Sequence, residues 1–60
     1  EVPEGVMARD IDEKHSLYLN TTDRQQIIRI SGKAKGILTG ETYKDEVILL
    51  PFEAEFIERK

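Results

Sequence analysis

The chain contains no cysteine and no tryptophan, and its 60 residues include only one histidine and two prolines. Without cysteine it can form neither a disulfide nor a thiolate metal site. The lone His15 cannot build a zinc site by itself, so no metal and no cofactor is expected. A domain this short buries only about 60% of the surface that its unfolded chain exposes. Because no crosslink or metal adds stability, the sequence predicts a domain that packs against a larger body.

An excess of positive charge and a long apolar segment are also lacking. Nine basic residues stand among twelve acidic ones, which gives a net charge of −3. Binding to phosphate backbones needs a basic surface, so nucleic acid is not an expected partner. The longest apolar run is residues 47–50, whereas a membrane-spanning helix needs about 20 apolar residues. The sequence therefore predicts neither a nucleic-acid partner nor a membrane partner.

The chain does contain short apolar stretches separated by turn residues. Alternation and β-branched residues predict strands at residues 6–11, 16–20, 26–30, 35–38, 46–50 and 54–57. A helix starting near Thr22 is disfavoured, because residues 27–30 lack the apolar stripe that it would need. The prediction is an all-β fold, a small antiparallel β-sandwich or barrel of about six short strands. Residues 1–5 are interpreted as a linker from an upstream domain, and residues 6–60 as the β-domain.

Side-chain alternation assigns faces within these strands. Leu17 and Leu19 share one face of the second strand, and the neighbouring polar residues and Tyr18 share the other. Ser31-Gly32 is expected to end the third strand, and residues 39–41 to form a tight turn around Gly40. Four successive apolar residues at 47–50 imply cover on both faces of their strand. The residues predicted to pack in the core or at an interface are Val47, Ile48, Leu49, Leu50, Phe52 and Phe56.

Carboxylates are the first candidates for chemistry. Glu53 and Glu55 are predicted to share a face of the last strand, and retaining glycosidases hold two carboxyl groups about 5–5.5 Å apart. Such an enzyme needs a closed pocket that splits the two pKa values, and 60 residues are too few to enclose one. Both glutamates are therefore interpreted as solvated. A catalytic triad of Asp12, His15 and Ser16 is rejected, since a hairpin tip would not fix its geometry. No catalytic residue is predicted.

Two further features allow a binding or modification interpretation. Tyr18 and Tyr43 are the only candidates for a sugar-stacking pair, although a structural role is favoured for both. Asn20-Thr21-Thr22 satisfies the N-glycosylation pattern, and the turn-forming hydrogen bonds of these side chains explain the same residues equally well.

Four segments of the chain follow one another in a recognisable order. They are Val2-Pro3-Glu4-Gly5-Val6, Leu17-Tyr18-Leu19-Asn20-Thr21-Thr22-Asp23, Leu38-Thr39-Gly40-Glu41 and Leu49-Leu50-Pro51-Phe52. Taken in this order, these segments resemble the C-terminal β-domain of bacterial β-galactosidases of glycoside hydrolase family 42. Two positions depart from the family pattern: Gly36 stands where an acidic residue often precedes the threonine-glycine turn, and Glu53-Ala54 replaces a glycine-containing bend.

The resemblance implies a parent enzyme that hydrolyses terminal β-D-galactosides with two glutamates on a (β/α)8 barrel. Those glutamates lie upstream in the family, so no catalytic residue is carried over to this chain. The resemblance also implies a bacterial, cytoplasmic parent that is often a homotrimer. The expected role of these 60 residues is to pack on the catalytic barrel and stabilise it. The alternative is a small interaction module or carbohydrate-binding β-module.

Overall fold

The computed structural model describes residues 2–60. These residues form one antiparallel sheet and no helix, which confirms the all-β prediction. The strands lie side by side in the order β1-β2-β5-β3-β4, so β1 and β4 are its edges. The strands are β1 (Val6–Asp10), β2 (His15–Asn20), β3 (Gln26–Gly36), β4 (Thr42–Leu49) and β5 (Ala54–Arg59).

β3 is one long strand where the sequence predicts two short ones. The expected break at Ser31-Gly32 is wrong, because the strand continues through a register shift between Arg29 and Lys33. Gly32 has a φ of +81° there, a conformation that glycine adopts without steric cost. A bulge adds residues to one strand and bends it without ending the ladder. β3 therefore pairs with β4 on both sides of the bulge, and its last residues pair with β5 as well.

The predicted tight turns are present. At the β1–β2 tip, Asp12 Oδ1 accepts hydrogen bonds from the backbone N–H groups of Lys14 (2.8 Å) and His15 (2.9 Å). Between β3 and β4, Gly40 has a φ of +80° and its N–H donates to the Gly36 carbonyl at 2.9 Å. These bonds explain why short polar residues and glycine occupy the turns.

The core lies on one side of the sheet, which we call the inner face. Residues 47–50 alternate although all four are apolar: Val47 and Leu49 are fully buried, and Ile48 and Leu50 are exposed. The sequence predicts cover on both faces of residues 47–50, whereas the described residues cover the inner face alone. The buried hydrophobic residues of the inner face are Val6, Tyr18, Ile28, Ala34, Val47, Leu49 and Ile57.

The opposite side of β1, β2 and β5 is apolar and exposed, and we call it the outer apolar face. Leu17 pairs with Phe56, and Leu19 pairs with Met7 on one side and Ala54 on the other. Directly paired residues of an antiparallel sheet lie on the same face. Ile37 extends the set, because its N–H donates to the Phe56 carbonyl at 2.7 Å. Its members are Met7, Leu17, Leu19, Ile37, Ala54 and Phe56.

The described part of the predicted linker is attached to the sheet. Val2 packs against the core. The carbonyl of Gly5 accepts the backbone N–H (2.8 Å) and the hydroxyl (2.6 Å) of Thr21. Glu1, the first residue of that predicted linker, lies outside the described residues.

Candidate functional site

The Glu55 carboxylate, on the inner face of β5, is the centre of a buried polar network. Its Oε2 accepts the hydroxyls of Thr39 and Tyr43, both at 2.6 Å. Its Oε1 accepts the backbone N–H groups of Leu38 (3.2 Å) and Phe56 (3.1 Å). Four donors thus surround a side chain with no exposed surface. The carboxylate ties the turn between β3 and β4 to the central strand β5.

The electrostatics of this network favour a charged glutamate and a neutral tyrosine. Burial alone would raise the pKa of Glu55, but the hydrogen bonds from Thr39, Tyr43 and the two amides outweigh it and lower that pKa. Burial, together with the hydrogen bond to Glu55, raises the pKa of Tyr43 to about 12. A tyrosine held neutral in this way is not an activated nucleophile. The network stabilises the fold.

The prediction that Glu53 and Glu55 are both solvated is wrong for Glu55, which is fully buried. Glu53 instead precedes β5, and its Oε1 accepts the N–H of Leu50 at 2.9 Å. A carboxylate without exposed surface cannot reach a glycosidic bond. The sequence analysis did not identify the Thr39–Tyr43–Glu55 set, because Glu55 is distant in sequence from the other two and the three residues lie on different elements.

Gly36 is the residue that makes room for this network. A Cβ atom at this position would overlap the Glu55 carboxylate and come within 2.9 Å of Thr39 Oγ1. Any larger residue would displace the carboxylate from its donors. The glycine at position 36 is therefore explained by the buried glutamate beside it.

The three residues of the rejected catalytic triad do not come together, because successive side chains of β2 point to opposite faces of the sheet. His15 Nδ1 lies 2.8 Å from Asp12 Oδ1, and this hydrogen bond is the largest cause of the lowered pKa of Asp12. Ser16 is buried on the inner face, where its hydroxyl donates to Asp10 Oδ1 at 2.7 Å. The imidazole stacks on Phe56, with ring centroids 5.5 Å apart. The serine hydroxyl and the histidine ring thus lie on opposite faces of the sheet.

Asn20 forms a second buried polar network, at the end of β2. Its side-chain amide donates to the carbonyls of Arg24 (2.6 Å) and Leu50 (3.0 Å). Its Oδ1 accepts the N–H of Thr22 at 2.9 Å and the Thr22 hydroxyl at 2.6 Å. With no exposed surface, this side chain is inaccessible to a glycosylating enzyme in the folded state. The hydrogen bonds of this turn therefore explain the Asn20-Thr21-Thr22 sequence.

The two tyrosines do not form an exposed pair, which corrects the alternative of a sugar-stacking platform and fits the structural role that the sequence analysis favours for both. Tyr18 is a core residue with 5% of its surface exposed. Tyr43 is partly buried on the inner face and bonded to Glu55. Stacking on a sugar requires an open ring face, which Tyr18 lacks.

The predicted packing residues fall into two groups. Val47 and Leu49 belong to the core. Ile48, Leu50 and Phe52 are exposed, Phe52 to 66%, and Phe56 lies half-buried on the outer apolar face. Within residues 2–60, ten large hydrophobic side chains are exposed, against seven buried in the core. The exposed apolar surface is thus the dominant unexplained feature of the fold.

Residues 2–60 bring together no cluster of three histidine, cysteine or carboxylate side chains that could hold a metal ion. The same residues contain no helix of the length and hydrophobicity that crossing a membrane requires. Comparison with protein-family models, curated proteins and solved structures finds no match to this chain.

Proposed function

We propose that this chain is the non-catalytic C-terminal β-domain of a β-galactosidase of glycoside hydrolase family 42. Its role is to pack on the catalytic barrel of the parent polypeptide and stabilise it. The parent hydrolyses terminal β-D-galactosides with residues outside this chain. The resemblance of four ordered sequence segments supports the parentage.

The exposed hydrophobic surface is the observation that carries the structural role. Leu17 and Leu19 are 39% and 38% exposed, and they lie beside Phe56 and Met7 on the outer apolar face. Contiguous apolar surface of this kind marks an interaction site on small soluble domains. A barrel packed against it would remove these side chains from water and add the burial that a domain of this size lacks.

The polar side chains that could carry chemistry already have structural partners. Glu55 is held by four donors, and the hydroxyl of Ser16 is bonded to Asp10 inside the sheet. These interactions support a scaffold rather than a catalytic role for both residues. We therefore expect the purified chain to leave galactosides intact.

Deletion of residues 1–60 from the parent tests this proposal. We expect the melting temperature to fall while kcat and KM of the surviving enzyme stay nearly unchanged. A selective rise in KM with unchanged melting temperature would instead assign the domain to substrate binding. An unchanged melting temperature with unchanged kinetics would contradict a stabilising role.

A second candidate function follows from the edge strands. β1 and β4 each pair with one strand only among the described residues, and an open strand edge can pair with another chain. An interaction module of this kind would associate through backbone hydrogen bonds along β1 or β4. NMR line widths that grow with protein concentration, with the largest changes at residues 6–10 or 42–49, would favour it over the barrel-packing role.

A further inference from the structure

Three exposed lysines lie close together on β3 and β4, on the side of the sheet opposite the inner face. Lys33 and Lys44 are direct partners in the β3–β4 ladder, and Lys35 follows two residues after Lys33. Residues two apart on a strand share a face. Ala34, which stands between the two β3 lysines, is fully buried on the inner face. All three lysines therefore point outward.

The β3–β5 ladder adds a fourth lysine to this group. The N–H of Lys60 donates to the Lys33 carbonyl at 2.9 Å, which continues the register of the Lys35–Glu58 pair. Lys60, Lys33 and Lys44 thus form one row across three neighbouring strands, whose spacing is about 4.8 Å. We call Lys33, Lys35, Lys44 and Lys60 the lysine patch.

The positive charges of the lysine patch have no counter-charge within the described part of the chain. None of the ion pairs among residues 2–60 involves a lysine. Glu58 is the direct partner of Lys35, but its Oε2 lies 3.5 Å from His15 Nε2 instead. Like charges directly opposite each other, as in the Lys33–Lys44 pair, destabilise a sheet. On a chain with a net charge of −3, the fold itself does not explain this cluster.

The lysine patch is continuous with the outer apolar face. Ile37 of that face follows two residues after Lys35 on β3. Phe56 of that face precedes Glu58, the partner of Lys35, by two residues on β5. A body that covers the outer apolar face therefore also approaches the lysines.

We propose that the lysine patch is the charged rim of the docking surface, and that the partner is a protein surface with clustered aspartate or glutamate side chains opposite it. This inference rests on the proposed docking through the outer apolar face. Burial of the apolar centre supplies affinity, and complementary charges at the rim fix the orientation and exclude wrong partners.

The row next to the lysines favours a protein over an anionic membrane or a nucleic acid. Glu58 lies in that row, with Lys35 on one side and His15 on the other. A protein surface can present charges of both signs to such a row, whereas lipid phosphates and nucleic-acid backbones repel a carboxylate.

Titration of the 15N-labelled chain with short capped peptides tests the patch. One peptide alternates glutamate with leucine, and the other alternates lysine with leucine. We expect saturable amide shifts at residues 33–37, 44 and 56 with the glutamate peptide alone, and an affinity that falls as salt is added. Equal responses to both peptides, or none to the glutamate peptide, would overturn the proposal. Binding to phosphatidylserine vesicles without a response to the glutamate peptide would overturn it in favour of a membrane surface.

Paired substitutions separate the lysine patch from the net charge of the chain. Lys33→Gln with Lys44→Gln should weaken binding of the glutamate peptide about fivefold or more. The same variant should unfold at a higher urea concentration, because it removes a like-charge pair. Lys14→Gln with Arg24→Gln is the matched control: both side chains are exposed and outside the patch, and screening should keep the change in affinity within about twofold. Equal weakening by the two pairs would overturn the proposal.

The Leu17→Ser, Leu19→Ser variant separates this inference from the proposed function. We expect it to weaken binding of the glutamate peptide as the lysine variant does. Weakening by the leucine changes alone would reject the lysine patch and keep docking through the outer apolar face. Unchanged binding by both variants would reject the two proposals together.

Discussion

In the part of the sheet formed by β1, β2 and β5, the two faces depart from the usual pattern of an antiparallel sheet, which buries apolar side chains on one face and exposes polar side chains on the other. The inner face of β2 buries Ser16 and Asn20 completely, whereas Leu17 and Leu19 on the outer face are exposed to more than a third. Polar groups can be buried when every donor and acceptor has a partner, and those of Ser16, Asn20 and Glu55 do. On this face, fully hydrogen-bonded polar side chains are buried together with hydrophobic ones such as Tyr18 and Ile57.

This difference separates two sources of stability. The inner face specifies the fold through a small core and two buried networks, around Glu55 and Asn20. The outer apolar face gains nothing comparable within residues 2–60. Substitutions on the inner face should therefore destabilise the isolated chain. Substitutions on the outer apolar face should leave the isolated chain folded and weaken its association with a larger body.

Glu55→Ala breaks the inner face most severely. It removes the acceptor of four donors, and each donor that stays buried without a partner costs about 1–3 kcal/mol. The substitution also creates a cavity. Since a domain of this size has a stability of about 3–5 kcal/mol, we expect the variant to be unfolded at 25 °C. Circular dichroism and amide shift dispersion measure this directly. Glu46→Ala, at an exposed position of β4, is the control and should remain folded.

Asn20→Asp tests the second network with little change in shape. A carboxylate cannot donate to the Arg24 and Leu50 carbonyls, and its charge would be buried among them. We expect a loss of about 2–4 kcal/mol in the free energy of unfolding at pH 7, measured by urea denaturation. Asp23→Asn is the reverse exchange, of a carboxylate for an amide, at an exposed position of the same loop. It should leave the free energy of unfolding nearly unchanged. Equal effects of the two variants would contradict the role of Asn20.

The pH dependence of stability sharpens the role of the Glu55–Tyr43 pair. Because folding lowers the pKa of Glu55 from 4.5, its contribution is complete above that value and is lost as the pH falls through the lower, folded-state pKa. Because folding raises the pKa of Tyr43 from 10.0 to about 12, stability is also lost as the pH rises through that interval. Tyr43→Phe should cost about 1–2 kcal/mol at pH 7 and weaken both dependences. An unchanged pH profile of unfolding would contradict this assignment.

The double change Leu17→Ser and Leu19→Ser should have the smallest effect on the isolated chain. Both side chains are already more than a third exposed, so we expect less than about 1 kcal/mol of lost stability for each. The measurement is again urea denaturation, with an improved solubility limit as a second readout. A loss comparable to that of Asn20→Asp would place these leucines in the core and remove the distinction between the faces.

Much of the fold could be predicted from local patterns. Turn chemistry at Asp12 and Gly40 locates the two hairpins, and the alternation of Leu17 and Leu19 with Tyr18 assigns the faces of β2. The apolar run at residues 47–50 predicts cover on both faces of β4 and does not distinguish them. The continuity of β3 could not be predicted, because Ser31-Gly32 is as typical of a turn as of a bulge. The state of Glu55 could not be predicted either, since its donors come from Leu38, Thr39 and Tyr43 through tertiary contacts. From the sequence alone, an acidic residue such as Glu55 is expected to be exposed to solvent, because the local pattern does not reveal the hydrogen-bond donors that allow its burial.

The most direct test of the two-face account places the Leu17→Ser, Leu19→Ser pair in two contexts. Thermal unfolding is measured for the isolated chain and for the proposed parent β-galactosidase. We predict a small change in the melting temperature of the isolated chain and a clear fall for the parent, because in the proposed packing only the parent would cover the outer apolar face. A parent melting temperature that does not change, with the isolated chain still folded, would contradict the account.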